Sequence, residues 1–140
     1  MNEILNEVVH GVYTVFLANW DKLRALSADR SDLCRVMMDG ETVGTPYYFD
    51  GYSLQASCVG EVFQILNMDH PADYRQRSLS VGDVVVDPTG RVWVVQGMGW
   101  KELDTQTYPG SDFQAAAKLG GSLKSARANR IEIESEAANV

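Results

Sequence analysis

The chain has 140 residues, which is the length of one domain with a modest core and excludes a large multidomain enzyme. Hydrophobic residues make up 45% and charged residues 22%, proportions typical of soluble globular proteins and not of disordered chains. Acidic residues outnumber basic ones by 19 to 12, and the net charge of −7 opposes non-specific attraction to nucleic acid and anionic lipid. We therefore expect neither direct nucleic-acid binding nor a membrane partner.

The N-terminal residues and the cysteines indicate a cytoplasmic protein. Glu3 and Glu7 lie where a secretory signal would need positive charge, and no apolar stretch approaches the roughly 20 residues that span a bilayer. The two cysteines, Cys34 and Cys58, lack the C-x-x-C spacing of metal or redox motifs. We expect both thiols to be reduced.

Four elements are predicted in the first part of the chain. β-branched and aromatic residues at 12–17 predict a strand, and polar capping residues predict a short helix over 21–26. Alternation at 33–38, followed by the turn signal Asp39-Gly40, predicts a second strand. Residues 42–52 contain a proline and several aromatic residues, which predict an irregular or edge segment whose rings cover the core.

The clearest helix follows at residues 58–66. Its apolar residues recur at the spacing i, i+3, i+4, i+7, at Val59, Val62, Phe63 and Leu66. Ser57 is predicted to cap this helix, and Pro71 and its neighbours predict that it ends near Asn67.

A β-hairpin is predicted next. Residues 78–86 and 91–96 flank Asp87-Pro88-Thr89-Gly90, in which the proline and glycine suit a tight turn. Both faces of the second strand are apolar, which predicts a strand that is central or covered on both sides, and residues 100–103 are predicted to complete the sheet.

Together these elements predict an α+β fold, with a small, mainly antiparallel sheet of four or five strands and one main packed helix. We assign residues 1–103 to this domain and residues 104–140 to a C-terminal appendage, helical or partly flexible. Within the appendage, residues 114–119 are predicted to begin a helix that Gly120-Gly121 interrupts.

Three phrases resemble a known family. Residues 66–74 read L-N-M-D-H-P-A-D-Y, residues 78–84 read S-L-S-V-G-D-V, and residues 99–102 read G-W-K-E. They resemble the YodL-like domain of prophages and conjugative elements, in which an amphipathic helix ends in a phrase like F-N-I-D-H-P-x-D-F and S-L-S-V-S-D-V follows. The resemblance covers residues 12–103, with departures at Leu66, Gly82 and residues 96–98.

This resemblance implies a mobile-element accessory protein that acts by contact and not by turnover, in the cytoplasm of a bacterial host. The family has no established catalytic residues. One bacterial relative is associated with interference in the shape-determining cytoskeleton of the host.

The charges are unevenly distributed along the chain. Residues 36–74 contain six acidic side chains and no Lys or Arg, whereas residues 114–130 contain four basic side chains and no acid. Tyrosines supply interface area and carboxylates steer encounters with basic partners, so we interpret the acidic segment as a partner-binding surface. A solvated face that keeps the protein soluble would explain the same charges. The candidate contacts are Asp39, Glu41, Tyr47, Tyr48, Asp50, Tyr52, Glu61, Asp69, Asp73 and Tyr74.

These observations predict a non-enzymatic protein, without metal or cofactor, that binds and inhibits a host protein. The leading hypothesis is an anti-defence inhibitor of the anti-CRISPR type, whose partner is a nucleic-acid-binding defence effector. The alternative is a modulator of the bacterial cytoskeleton or cell shape. A small metal- or thiol-dependent enzyme is a third hypothesis, based on His70 beside Asp69 and Asp73 and on Cys58 at a helix start, although a turn histidine and a small packed cysteine explain these residues more simply.

Overall fold

The computed structural model describes residues 8–19, 21, 22, 25, 47–96, 99–120 and 122–138. Within these residues, five strands form one antiparallel sheet in the order β2-β1-β3-β4-β5. The strands are β1 Gly11–Phe16, β2 Tyr52–Ala56, β3 Val84–Val86, β4 Val92–Val95 and β5 Trp100–Leu103. The helices are α1 Val59–Met68, α2 Gly110–Leu119 and α3 Leu123–Ala138. The predicted α+β fold, with its antiparallel sheet, packed helix and C-terminal helical segment, is confirmed.

Helices cover both faces of the sheet. Because successive strand residues point to opposite sides, β1 and β4 divide their side chains between two cores. On the first face, which we call the α1 face, Tyr13, Val15 and Trp93 pack with residues of α1. On the second, the α2 face, Phe16 and Val94 pack with residues of α2 and α3. The sequence predicted the helix of the α1 face, and the two apolar faces of residues 91–96 predicted a strand that is central or covered on both sides.

The predicted hairpin is confirmed, with a shorter first strand than expected. Asp87 closes the turn, since its backbone N–H donates to the Arg91 carbonyl at 2.9 Å and its carboxylate accepts from Thr89 and Arg91. All four residues of β4 are buried, as expected for a central strand. The prediction of strand over residues 78–83 is wrong, because the chain turns there and Gly82 adopts a φ of +93° that favours glycine.

Strand β2 was not predicted as a strand. It pairs with β1 in the register Gly11↔Ala56 to Val15↔Tyr52 and lies at one edge of the described sheet. Upstream of it, the predicted strand over residues 33–38 lies outside the described residues. Of the predicted helix over 21–26, residues 21, 22 and 25 are described and helical.

The N-cap of helix α1 lies one residue later than predicted. Cys58 is the N-cap, and its Sγ accepts a hydrogen bond from the Glu61 N–H at 3.4 Å. Ser57, the predicted cap, instead donates its hydroxyl to the Glu61 carboxylate at 2.8 Å. The prediction that Ser57 caps the helix is therefore wrong. The backbone of Cys58 is fully extended, which places its side chain at the first turn.

The segment after residue 104 contributes to the core. Phe113 of α2 is completely buried, with its ring 5.2 Å from that of Tyr48 and 6.3 Å from that of Phe16. Helix α2 starts four residues before the predicted position and ends at Gly120, whose φ is +69°. The domain boundary at residue 103 stays a prediction, but Phe113 and Leu123 belong to the core of the α2 face. No helix among the described residues is long and apolar enough to span a membrane.

Candidate protein-binding site

An ion pair between half-buried Arg77 and buried Asp83 organises the loop between α1 and β3, which we call the 69–83 loop. Asp83 is completely buried, and the two guanidinium nitrogens of Arg77 donate to its two carboxylate oxygens at 2.7 and 2.8 Å. The same carboxylate accepts from the backbone N–H groups of Ala18 and Ser80, both at 2.7 Å. Arg77 also donates to the Ala18 carbonyl at 2.9 Å. The pair thus joins the loop to the chain just beyond β1.

The electrostatics of Asp83 follow from its burial. Loss of solvent raises the pKa of the Asp83 carboxyl, and the Arg77 guanidinium and the two backbone donors oppose that rise. A buried carboxylate without such partners would be strongly unfavourable. Arg77 therefore stabilises the folded path of the loop.

Two further residues hold the loop in place. The Asn67 side chain at the end of α1 accepts from the Leu79 N–H at 2.6 Å and donates to the Leu79 carbonyl at 3.2 Å. The Tyr74 hydroxyl donates to the Arg77 carbonyl at 2.5 Å. Because these bonds reach both halves of the loop, its exposed side chains occupy defined positions.

An acidic and aromatic surface lies where this loop meets β2. The Tyr52 hydroxyl donates to the Asp73 carboxylate at 2.7 Å, and the Tyr52 ring meets the edge of Tyr74 at 4.9 Å. The ring of His70 also packs against Tyr74, with the two ring centres 5.2 Å apart. Asp69, His70 and Asp73 are exposed, and Tyr52 is half-buried. We call Tyr52, Asp69, His70, Asp73 and Tyr74 the Tyr52–Asp73 patch.

Both tyrosines of the patch keep their protons at neutral pH. Burial, together with the hydrogen bond to Asp73, raises the pKa of Tyr52 to about 12. Burial raises the pKa of Tyr74 to about 12. Both hydroxyls therefore stay donors within the protein, Tyr52 to Asp73 and Tyr74 to Arg77, and the carboxylate oxygens of the patch are the groups that can accept from basic side chains.

The structure brings together four of the predicted site residues, Tyr52, Asp69, Asp73 and Tyr74. Asp50 is exposed two residues before β2. Glu61 lies near the opposite end of α1, about 12 Å along the helix from Asp69 at 1.5 Å per residue. Asp39 and Glu41 lie outside the described residues.

Two tyrosines that were predicted to contact a partner are buried. Tyr48 and Tyr74 are each only 5% exposed, so they do not present their rings to a partner. Tyr48 fills the core of the α2 face against Phe113, and Tyr74 lies beneath Tyr52 in the core of the α1 face. Tyr47 is half-buried, with the Lys22 ammonium 5.0 Å from its ring centre.

His70 and Cys58, on which the enzymatic hypothesis is based, make contacts within the fold. His70 Nε2 is 3.4 Å from the Ser78 hydroxyl, and Cys58 caps α1. Among the described residues, no group of three or more His, Cys, Asp or Glu side chains is placed to hold a metal ion. The absence of enzymatic activity stays a prediction.

Sequence reasoning missed Arg77 and Asn67, which hold the patch in place. Arg77 precedes Asp83 by six residues, so the pair lies within the region of the family phrases. Asp83 also has a local partner, the Ser80 N–H three residues before it. Its second partner, Arg77, was not foreseen.

The chain was compared with models of known protein families, and one of them matches. The model of the YodL-like domain matches residues 18–105, and the chain belongs to this family. The match starts at Ala18, which binds the Arg77–Asp83 pair, and ends just after β5. No curated protein and no solved structure matches the chain significantly.

Replacing Arg77 by alanine should leave the buried Asp83 carboxylate without its charged partner. We expect R77A to lower the free energy of unfolding by about 3–5 kcal/mol, as measured by urea denaturation. R75A is the matched control, because Arg75 is exposed and donates to the Ala72 carbonyl within the same loop. It should change stability by no more than about 0.5 kcal/mol. Equal losses in the two variants would contradict the central role of the pair.

Removing the charge of Asp73 should lower the pKa of Tyr52. In the wild type, Tyr52 should ionise near pH 12, as followed by the ultraviolet absorbance of tyrosinate. D73N should move this ionisation toward the ordinary value of 10.0, although burial keeps it from reaching that value. Y52F identifies the Tyr52 signal, and E132Q, which removes an exposed charge from α3, is the control.

The stability effect of Tyr52 has a defined sign. The pKa of Tyr52 is higher in the folded than in the unfolded chain. Its contribution to the free energy of unfolding is therefore complete below pH 10 and is lost as pH rises toward 12. Tyr52 ionisation at the same pH in wild type and D73N would show that the bond to Asp73 does not form.

Proposed function

We propose that this chain is an accessory protein of a phage or conjugative element that acts in the cytoplasm of a bacterial host. It binds a host protein and inhibits it by contact, without catalysis. Membership of the YodL-like family supports the mobile-element assignment. The negative net charge and the tyrosine-bearing acidic patch support a basic protein surface as the target.

One observation carries this proposal: the acidic surface is prearranged. Residues 47–74 contain Asp50, Glu61, Asp69 and Asp73 and no Lys or Arg. The 69–83 loop holds two of these acids in place through Asn67 and the Arg77–Asp83 pair. A surface that is ordered before binding loses less conformational entropy in the complex, and its field attracts positively charged partners.

We propose further that the target is a nucleic-acid-binding defence effector, as in anti-CRISPR inhibition. Such effectors hold nucleic acid in basic grooves, where Lys and Arg side chains neutralise phosphates. Exposed carboxylates on a folded domain can occupy the same positions as phosphates. The protein would then compete directly with the nucleic acid for the groove.

The test is capture of host proteins with the tagged chain at low and at moderately high salt, followed by association kinetics with the protein recovered. The variant D50N/D69N/D73N, which we call the patch variant, removes the two carboxylates of the patch and that of exposed Asp50, and it raises the net charge by three. The control variant T105K/Q114K/A128K raises it by the same amount at exposed positions elsewhere. We expect the patch variant to slow association by about tenfold at low salt and to flatten its salt dependence, and the control to change the rate far less.

Two results would contradict this proposal. Equal effects of the two variants would show that net charge alone, and not the patch, attracts the partner. Capture of a cytoskeletal protein in place of a nucleic-acid-binding one would replace the anti-defence assignment with the modulation of cell shape.

A further inference from the structure

A groove lies between α2 and α3 on the side that faces away from the sheet. The two helices are joined by Arg130 of α3, whose Nε donates to the buried Asp112 of α2 at 2.9 Å. Phe113 and Ala116 of α2 point into the core. The groove has a volume of about 670 Å³, and its apolar lining is formed by Ala115, Leu119, Ala126 and Ile133.

This lining is unusually exposed for large apolar side chains. Leu119 is 76% and Ile133 65% exposed in the described structure. Ala115 and Leu119 are four residues apart on α2, and Ala126 and Ile133 are seven apart on α3, so each pair shares one face of its helix. Two neighbouring helices with apolar faces form a groove of the kind that accepts a third amphipathic helix.

The charges around the groove specify the chemistry of that helix. Glu132, Glu134 and Glu136 of α3 line it together with Asp112. Arg130 is the basic residue of the lining, and its charge is engaged by Asp112 and Glu134. The groove is therefore negative overall and complements lysine or arginine side chains. A second copy of this chain fits poorly, because a two-fold contact would place these glutamates against one another.

We infer that the α2–α3 groove is a second docking site, which binds a basic amphipathic helix of a protein partner. It lies on the α2 face, opposite the Tyr52–Asp73 patch on the α1 face. The inference rests on the proposed function in that both assign a positively charged protein partner. The two sites use different residues and can be tested separately.

The probe is a synthetic helical peptide with leucines along one stripe and lysines on the opposite face, titrated into the full chain. A peptide of the same pattern with glutamates in place of lysines is the charge control. We expect the lysine peptide to bind, with an affinity that falls as salt rises, and the glutamate peptide not to bind. E132K/E136K should weaken binding of the lysine peptide by at least about tenfold.

Two matched variants separate the apolar groove from the charge. I133D and I131D add the same negative charge to the same helix at exposed positions, but Ile133 lines the groove and Ile131 does not. We expect I133D to weaken binding of the lysine peptide by at least about tenfold, even though it makes the protein more acidic. I131D and the patch variant D50N/D69N/D73N should leave the affinity within about twofold of wild type.

Three outcomes would overturn the inference. Equal effects of I131D and I133D would show that the peptide does not use the groove. Loss of peptide binding in the patch variant, with the groove variants unchanged, would place the peptide on the Tyr52–Asp73 patch and leave the proposed function standing. A much larger loss of thermal stability in I133D than in I131D would show that the chain itself covers the groove.

Discussion

The ion pair between Arg77 and the buried Asp83 is the constraint on which the site depends. The 69–83 loop contains no helix or strand, so it lacks the regular hydrogen bonds that hold the neighbouring elements. Asp83 supplies hydrogen bonds in their place, because its carboxylate accepts from Arg77, Ser80 and Ala18 at once. A loop path that separated Arg77 from Asp83 would leave a carboxylate buried without its charged partner, which is strongly unfavourable. The pair therefore selects the path that places Asp73 beside Tyr52 of β2.

The consequence for function is a surface that is ordered by the core beneath it. Tyr74 was predicted to contact a partner, but it is buried and supports Tyr52, which in turn holds the Asp73 carboxylate. The position of the exposed Asp73 carboxylate therefore depends on Tyr74, a side chain buried beneath the surface. On the other face of the sheet, α2 and α3 present apolar side chains with an acidic rim. The protein carries two acidic surfaces on opposite faces of one small sheet.

Local patterns predicted those elements whose signals lie within a few residues of each other. The spacing of apolar residues located α1, and the turn residues at 87–90 located the hairpin. Contacts between distant residues were not predictable in this way. Tyr48 is buried because Phe113 packs on it from α2, and β2 is a strand because β1 lies beside it. The N-cap could not be assigned from residue type alone, because serine is a preferred capping residue and yet Cys58, not Ser57, occupies the cap. The family resemblance came from phrases whose residues hold the 69–83 loop, and the match over residues 18–105 confirms it.

The most direct test of the account is a map of amide hydrogen exchange in the protein, free and bound to the host protein that capture identifies. If the partner binds the Tyr52–Asp73 patch, backbone amides at Asp50–Tyr52 and Asp69–Tyr74 should exchange more slowly in the complex. The β3–β4 turn at residues 87–90 should keep its exchange rate. Protection confined to that turn and to β5, with the Tyr52–Asp73 patch unchanged, would contradict the claim that the acidic surface binds the partner.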